Sequence, residues 1–220
     1  MSVDVRVVED PALAAGELLA ETAVAGAQIA LCGGTAVGGA YDAAARLRSR
    51  WRDVHIWFGD ERAVPPWDEH SNFRLVRDRL VDTLESPPEV HRVQGERTAE
   101  EAAALYDAEL GGVTLDLALN GIGPDGHTAS LFPGAPALRE SARRAVAAEA
   151  GLEPLVPRVT MTPPVFAAAA ALVYLVAGEE KADAVRRAFA AEPSEATPAS
   201  LVRGRTTVAL LDPAAASLLA

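Results

Sequence analysis

Asp125, His127, Thr128 and Ser130 crowd into one short run of the chain, Asn120-Gly121-Ile122-Gly123-Pro124-Asp125-Gly126-His127-Thr128-Ala129-Ser130-Leu131-Phe132-Pro133. A histidine ordinarily titrates at about 6.5 and exchanges protons near neutrality. His127 is therefore the candidate general base, working on a proton within reach of its ring. A carboxylate is needed to orient such an imidazole. Asp125 and Asp60 are the two candidates, and the sequence does not choose between them. Asp125-Gly126 also favours a turn on its own account.

Other polar groups are placed to hold an anion. Gly33-Gly34-Thr35 follows an apolar run and precedes a helix. Backbone N–H groups and the positive helix end then face the same point. Arg62 closes the triplet Asp60-Glu61-Arg62, which reads as loop charges at the end of the strand expected at 54–58, and Asn72 follows the capping residue Ser71. Of the 20 lysine and arginine residues, only Lys181 is lysine. It sits in Gly178-Glu179-Glu180-Lys181, at a helix start, where a cation opposes the dipole. Facing an anion would offset that cost, and a compact ammonium differs in kind from a planar guanidinium. Cys32 has no activating base beside it and reads as a buried core residue. His55 falls in a strand, and His70 and His91 near loops; all three read as structural or exposed. No His/Cys group has metal-ligand spacing along the chain, so no metal and no cofactor is expected.

These residues need a scaffold that brings distant segments together. Val3–Val8 alternates as a strand, and Asp10-Pro11 opens a helix that should reach Gly26. Strands are expected at 28–32, 54–58, 90–93, 115–119, 142–148, 172–177 and 207–211, with an extended segment from Pro157. Helices are expected at 37–50, after Ser71, at 99–110 behind a Thr98/Glu101 capping box, after Lys181, and at 213–219. Residues 134–156 are otherwise poorly patterned. Alternation of strands and helices over the whole length predicts an α/β, Rossmann-like architecture, a parallel-rich sheet with helices on both faces. No linker, repeat or low-complexity tract divides residues 1–220, so one domain is expected. In such sheets ligands bind beyond the carboxyl ends of the strands, which is where each candidate group stands.

The 220 residues are 50% apolar and 23% charged, an ordinary globular balance, with a net charge of −11. So acidic a chain is a poor match for nucleic acid or an anionic membrane. No apolar run is long enough to span a bilayer. With one cysteine and no leader-like start, a cytoplasmic location is expected.

Four blocks taken together resemble the 6-phosphogluconolactonases. They are Asp60-Glu61-Arg62 with Ser71-Asn72-Phe73; Gly121 to Pro133; Arg158-Val159-Thr160-Met161-Thr162; and Gly178-Glu179-Glu180-Lys181-Ala182. They cover essentially the whole chain in order, and His127-Thr128-Ala129-Ser130-Leu131-Phe132-Pro133 is the most specific. The resemblance implies a fold shared with the glucosamine-6-phosphate deaminases. It also implies metal-free hydrolysis of 6-phosphogluconolactone in the oxidative pentose phosphate pathway. On that footing the catalytic candidates are His127, Asp125 and Asp60. The phosphate-binding candidates are Gly33, Gly34, Thr35, Arg62, Asn72, Gly126, Arg158 and Lys181. A monomer or small homo-oligomer is expected. One departure is that the family's early loop usually reads Gly-Gly-Ser-Thr-Pro, where this chain has Gly33-Gly34-Thr35-Ala36-Val37. Backbone N–H groups then carry more of the binding there. The deaminases share Asp60-Glu61 and Asp125-Gly126-His127, but typically have tyrosine where Arg62 stands and Ile-Ala-Phe-Asn-Glu-Pro after the histidine. A non-catalytic sugar-phosphate sensor is the remaining alternative.

Overall fold

A computed structural model describes residues 3–219. Seven parallel strands form the central sheet: β1 (Asp4–Val7), β2 (Gln28–Leu31), β3 (His55–Phe58), β5 (Glu89–Val90), β6 (Leu117–Asn120), β9 (Ala171–Val176) and β10 (Thr206–Leu211). Their order is β1-β10-β9-β6-β2-β3-β5. A second, antiparallel sheet has the order β4-β8-β7, from β4 (Asp60–Arg62), β7 (Ala145–Ala148) and β8 (Arg158–Met161). Helices α1 (Pro11–Thr22), α2 (Val37–Leu47), α3 (Asn72–Arg79), α4 (Ala99–Glu109), α5 (Pro163–Ala168), α6 (Ala182–Phe189) and α7 (Pro198–Leu201) connect the strands. The expected α/β architecture with a parallel-rich sheet is present.

The four central strands are continuous apolar runs because both sheet faces are covered. β2, β3 and β9 are buried over all but their first residue, and β6 throughout. Capping follows the sequence closely. Asp10 accepts from Leu13 N with Pro11 in the first helical turn, Ser71 accepts from Arg74 N, and Thr98 and Glu101 form a reciprocal capping box.

Several elements differ from the sequence expectation. α1 stops at Thr22, where β-branched Thr22 and Val24 lead into Gly26 at φ +85°. α2 stops at Leu47 because Arg48 turns extended and carries Trp51 into the core, its ring N–H donating to Arg48 O. Asp60-Glu61-Arg62 is a strand and not a loop, paired residue by residue with Thr160, Val159 and Arg158. The β1 strand alternates in sequence, yet all its residues are exposed because it is a sheet edge. Residues 213–219 form successive turns, not a helix. Ala215 N donates to the Asp212 carboxylate, and later bonds run Ser217 N to Ala214 O and Leu219 N to Ala216 O.

Sheet order explains why the chemistry converges. β9, β6, β2 and β3 are neighbours. The segments leaving their carboxyl ends carry Lys181, His127, Gly33–Thr35 and, at the start of β4, Asp60 respectively. Strand order reverses between β6 and β2, the place where open parallel sheets leave a crevice.

Candidate active site

A cleft of about 400 Å³ opens at that crevice. Its walls include Gly33, Gly34 and Thr35 after β2, Asp60 and Arg62 from β4, Asn72 at the start of α3, and Gly121–Pro124 with His127 after β6. Arg158 of β8 and Lys181 after β9 complete the rim. Asp125 and Gly126 do not line the cleft; they stand behind His127.

His127 is held from three sides. Its Nδ1 lies 2.6 Å from Asp125 Oδ1, and the same oxygen accepts the His127 backbone N–H at 3.1 Å. Its ring rests against Phe132, with centroids 4.7 Å apart. Gly123 passes so close that a Cβ there would sit 2.0 Å from the ring atoms Cε1 and Nδ1. With Nδ1–H donated to the carboxylate, Nε2 is left as the acceptor that can take a proton. Partial burial pushes the Asp125 carboxyl up, but its hydrogen bonds to His127 outweigh this and hold it below the usual carboxylate range. Asp125 therefore stays ionised and favours the imidazolium when it forms.

Asp60 has a different task. Its carboxylate accepts from Ser130 Oγ at 2.6 Å and from Asn72 Nδ2 at 3.2 Å. It ties the His127 loop to α3 and makes no bond to the imidazole. Ser130 reaches it because Ala129, at φ +50°, turns the chain back in a conformation L-residues seldom adopt. Asn72 also donates to Asp60 O and accepts from Arg62 NH1 at 2.6 Å. Its Oδ1 lies so near Gly33 that a Cβ on Gly33 would approach it to 1.9 Å. Gly33 is thus needed for close approach between the β2 loop and α3.

The cations are placed differently from one another. Arg62 NH1 also donates to His70 O, and its Nε is buried without a partner. Arg158 is buried, with Nε and NH2 donating to the carbonyls of Val156, Leu152 and Pro154. It organises the 152–156 loop while facing the cleft. Lys181 lies in a short 3₁₀ turn (Glu179–Lys181) before α6 and makes no ion pair among the described residues. Cys32, on the cleft floor, has its thiol pushed up to about 12 by burial. It is no nucleophile at neutral pH.

Two contributors escaped the sequence reading. Arg187 of α6 donates to Asp125 O, Pro124 O and Thr197 Oγ1, bracing the back of the His127 turn. Gly126 belongs to the same back wall, where a Cβ would meet Thr197. Glu61 is buried and accepts from the backbone N–H groups of Arg62, Asn72 and Phe73 and from Ser71 Oγ. Arg187 could not be singled out among so many arginines, since only the fold brings α6 behind the loop.

Comparison with known proteins places the chain in a family. Residues 6–210 match the family described as glucosamine-6-phosphate isomerases/6-phosphogluconolactonase. A 6-phosphogluconolactonase from Mycobacterium leprae is 36% identical, covering 99% of this chain and 98% of its own. The crystal structure of 6-phosphogluconolactonase from Leishmania guyanensis superposes with a TM-score of 0.84 at 25% identity, covering 98% of each chain. A monomeric glucosamine-6-phosphate deaminase superposes with a TM-score of 0.86 at 22% identity, over 99% of this chain and 100% of its own, a likeness of fold alone.

Proposed function

The chain belongs to the glucosamine-6-phosphate isomerase/6-phosphogluconolactonase family, and from that premise we propose how its cleft works. The protein is an enzyme that hydrolyses 6-phospho-D-glucono-1,5-lactone to 6-phospho-D-gluconate, a step of the oxidative pentose phosphate pathway. His127 is the general base. The observation that carries this is the 2.6 Å contact of its Nδ1 with Asp125, which leaves Nε2 free for water on the cleft side.

Water gives up a proton to Nε2 as its oxygen attacks the lactone carbonyl carbon. The carbonyl π electrons move to oxygen, producing a tetrahedral oxyanion in a cleft whose cationic groups are Arg62, Arg158 and Lys181. The intermediate then expels the ring oxygen, which takes the proton back from the imidazolium. Asp125 stabilises that imidazolium between the two transfers, and Asp60 positions the loop through Ser130. The phosphate lies against Lys181, Arg62, Arg158 and the N–H groups of Gly33-Gly34-Thr35, with Asn72 holding Arg62 in place. A cytoplasmic location and a monomeric or small homo-oligomeric state belong to the same reading.

The deciding assay measures turnover of freshly generated 6-phosphogluconolactone beside glucosamine 6-phosphate. Rapid lactone hydrolysis is expected, with no ammonia released from the amino sugar. His127→Ala should lower lactone turnover at least ~100-fold, the low end for loss of a general base, while the fold persists. Near-normal turnover in that variant removes His127 from the role of base. Lys181→Ala should raise KM several-fold for the phosphorylated lactone and leave unphosphorylated gluconolactone unchanged. An equal effect on both substrates argues against phosphate contact.

A further inference from the structure

His55 and His91, 36 residues apart in the chain, meet at the edge of the central sheet. Strands β3 and β5 run parallel there, with His55 beside Glu89 in register and His91 N donating to Ile56 O. His55 Nδ1 lies 3.0 Å from His91 Nε2. Glu89 Oε2 lies 3.5 Å from the first nitrogen, and Glu89 Oε1 3.7 Å from the second. Among the described residues this is the one group of histidine, cysteine or carboxylate side chains whose donor atoms converge in this way. It stands at the amino end of β3, away from the cleft, and none of its members lines the cleft.

We propose that His55 Nδ1, His91 Nε2 and one Glu89 carboxylate oxygen form a binding site for a divalent metal of the zinc class. The spacing is close to what such an ion requires. With bonds of about 2.0–2.1 Å, tetrahedral ligand atoms stand about 3.3–3.4 Å apart. Two imidazoles and a carboxylate suit zinc, cobalt or nickel and leave one position for water.

A supporting shell is already built. His91 Nδ1 lies 2.7 Å from Glu109 Oε1 on α4, so Nδ1–H is donated to a carboxylate and Nε2 keeps its lone pair. The His91 ring is stacked on Trp57 at 3.9 Å and 6°, fixing its direction. Trp57 is itself held by donation of its ring N–H to Gln28 Oε1. Without metal, His55 Nδ1–H donates to His91 Nε2. The ion takes the place of that proton, which moves through solvent to Nε2 of the same His55 ring. The Glu89 side chain is 64% exposed and free to swing onto the ion. The consequence is a clip: β5 is only two residues long, and the metal would pin this short edge to β3 and, through Glu109, to α4.

The test titrates tag-free protein with Zn(II), using Co(II) as an optical probe. Uptake near one equivalent, a raised melting temperature and the visible bands of four-coordinate cobalt are expected. His55→Gln and Glu89→Gln should remove most of this binding. Glu109→Gln should weaken it about 10- to 100-fold, as loss of an outer carboxylate does. His127→Ala must retain the full equivalent, which separates this site from the His127–Asp125 pair. The proposal is overturned by absence of near-stoichiometric uptake, by uptake that persists in His55→Gln and Glu89→Gln, or by uptake that disappears in His127→Ala.

Discussion

His127 owes its usefulness to neighbours that leave it one orientation. Gly123 occupies the space a side chain would need, and Asp125 takes Nδ1. Gly123→Ala would drive a methyl group into the ring, so the imidazole must rotate off its line to the cleft. Turnover should fall toward the level of His127→Ala, with secondary structure by circular dichroism unchanged. Asp125→Asn keeps the shape of the turn but removes the charge that favours imidazolium, and its amide can seat the wrong tautomer. A kcat loss of about 10²–10⁴ is expected, the scale on which orienting acids act in base-assisted hydrolases, with KM nearly unchanged. If kcat holds and KM alone rises, Asp125 is a turn residue and nothing more. The presence of a histidine and an acid in this turn was legible from sequence. The choice between Asp125 and Asp60 was not, because it depends on Ala129 reversing the chain to give Asp60 to Ser130.

At the scale of elements, Glu61 links β4 to α3. Its carboxylate caps the first N–H groups of the helix, where negative charge is favoured. Burial nonetheless dominates and raises its pKa from 4.5 to about 7, with the N–H donors pulling the other way. Between these values the folded protein keeps a proton that the unfolded chain has released, so stability declines as pH rises through that window. The decline attributable to Glu61 is at most about 3 kcal/mol. Melting temperature measured from pH 4.5 to 7.5 should fall more steeply in the wild type than in Glu61→Gln. Parallel profiles would show that Glu61 titrates normally in the folded state. Element identity was largely readable, since capping residues and apolar runs act locally. Asp60-Glu61-Arg62 read as a loop because its pairing partner, Arg158–Thr160, is almost a hundred residues away. A separation of 36 residues likewise hid the convergence of His55 with His91 and its neighbour Glu89, which spacing along the chain cannot reveal.

For the molecule as a whole, the cleft is a meeting point of segments near residues 33, 60, 72, 127, 158 and 181. No local part of the chain can make it, so ligand binding is tied to the complete fold. The overall charge of −11 opposes an anionic sugar phosphate at long range, and on the proposed reading Arg62, Arg158 and Lys181 offset this at short range, although Asp60, Glu153 and Glu180 share the lining. The product, 6-phosphogluconate, carries the same phosphate and an added carboxylate. It should therefore bind the native state and not the unfolded chain. At 100 times its Kd such a ligand stabilises by about 2.7 kcal/mol. For a chain of this length that corresponds to a rise in Tm of roughly 5–10 °C. Lys181→Ala should shrink the rise at the same product concentration without lowering the Tm of the free protein, because Lys181 makes no ion pair among the described residues. Thermal scans with product, with gluconate and with inorganic phosphate distinguish the contributions. A shift from gluconate equal to that from the phosphorylated product would place the recognition on the sugar acid and not on the phosphate.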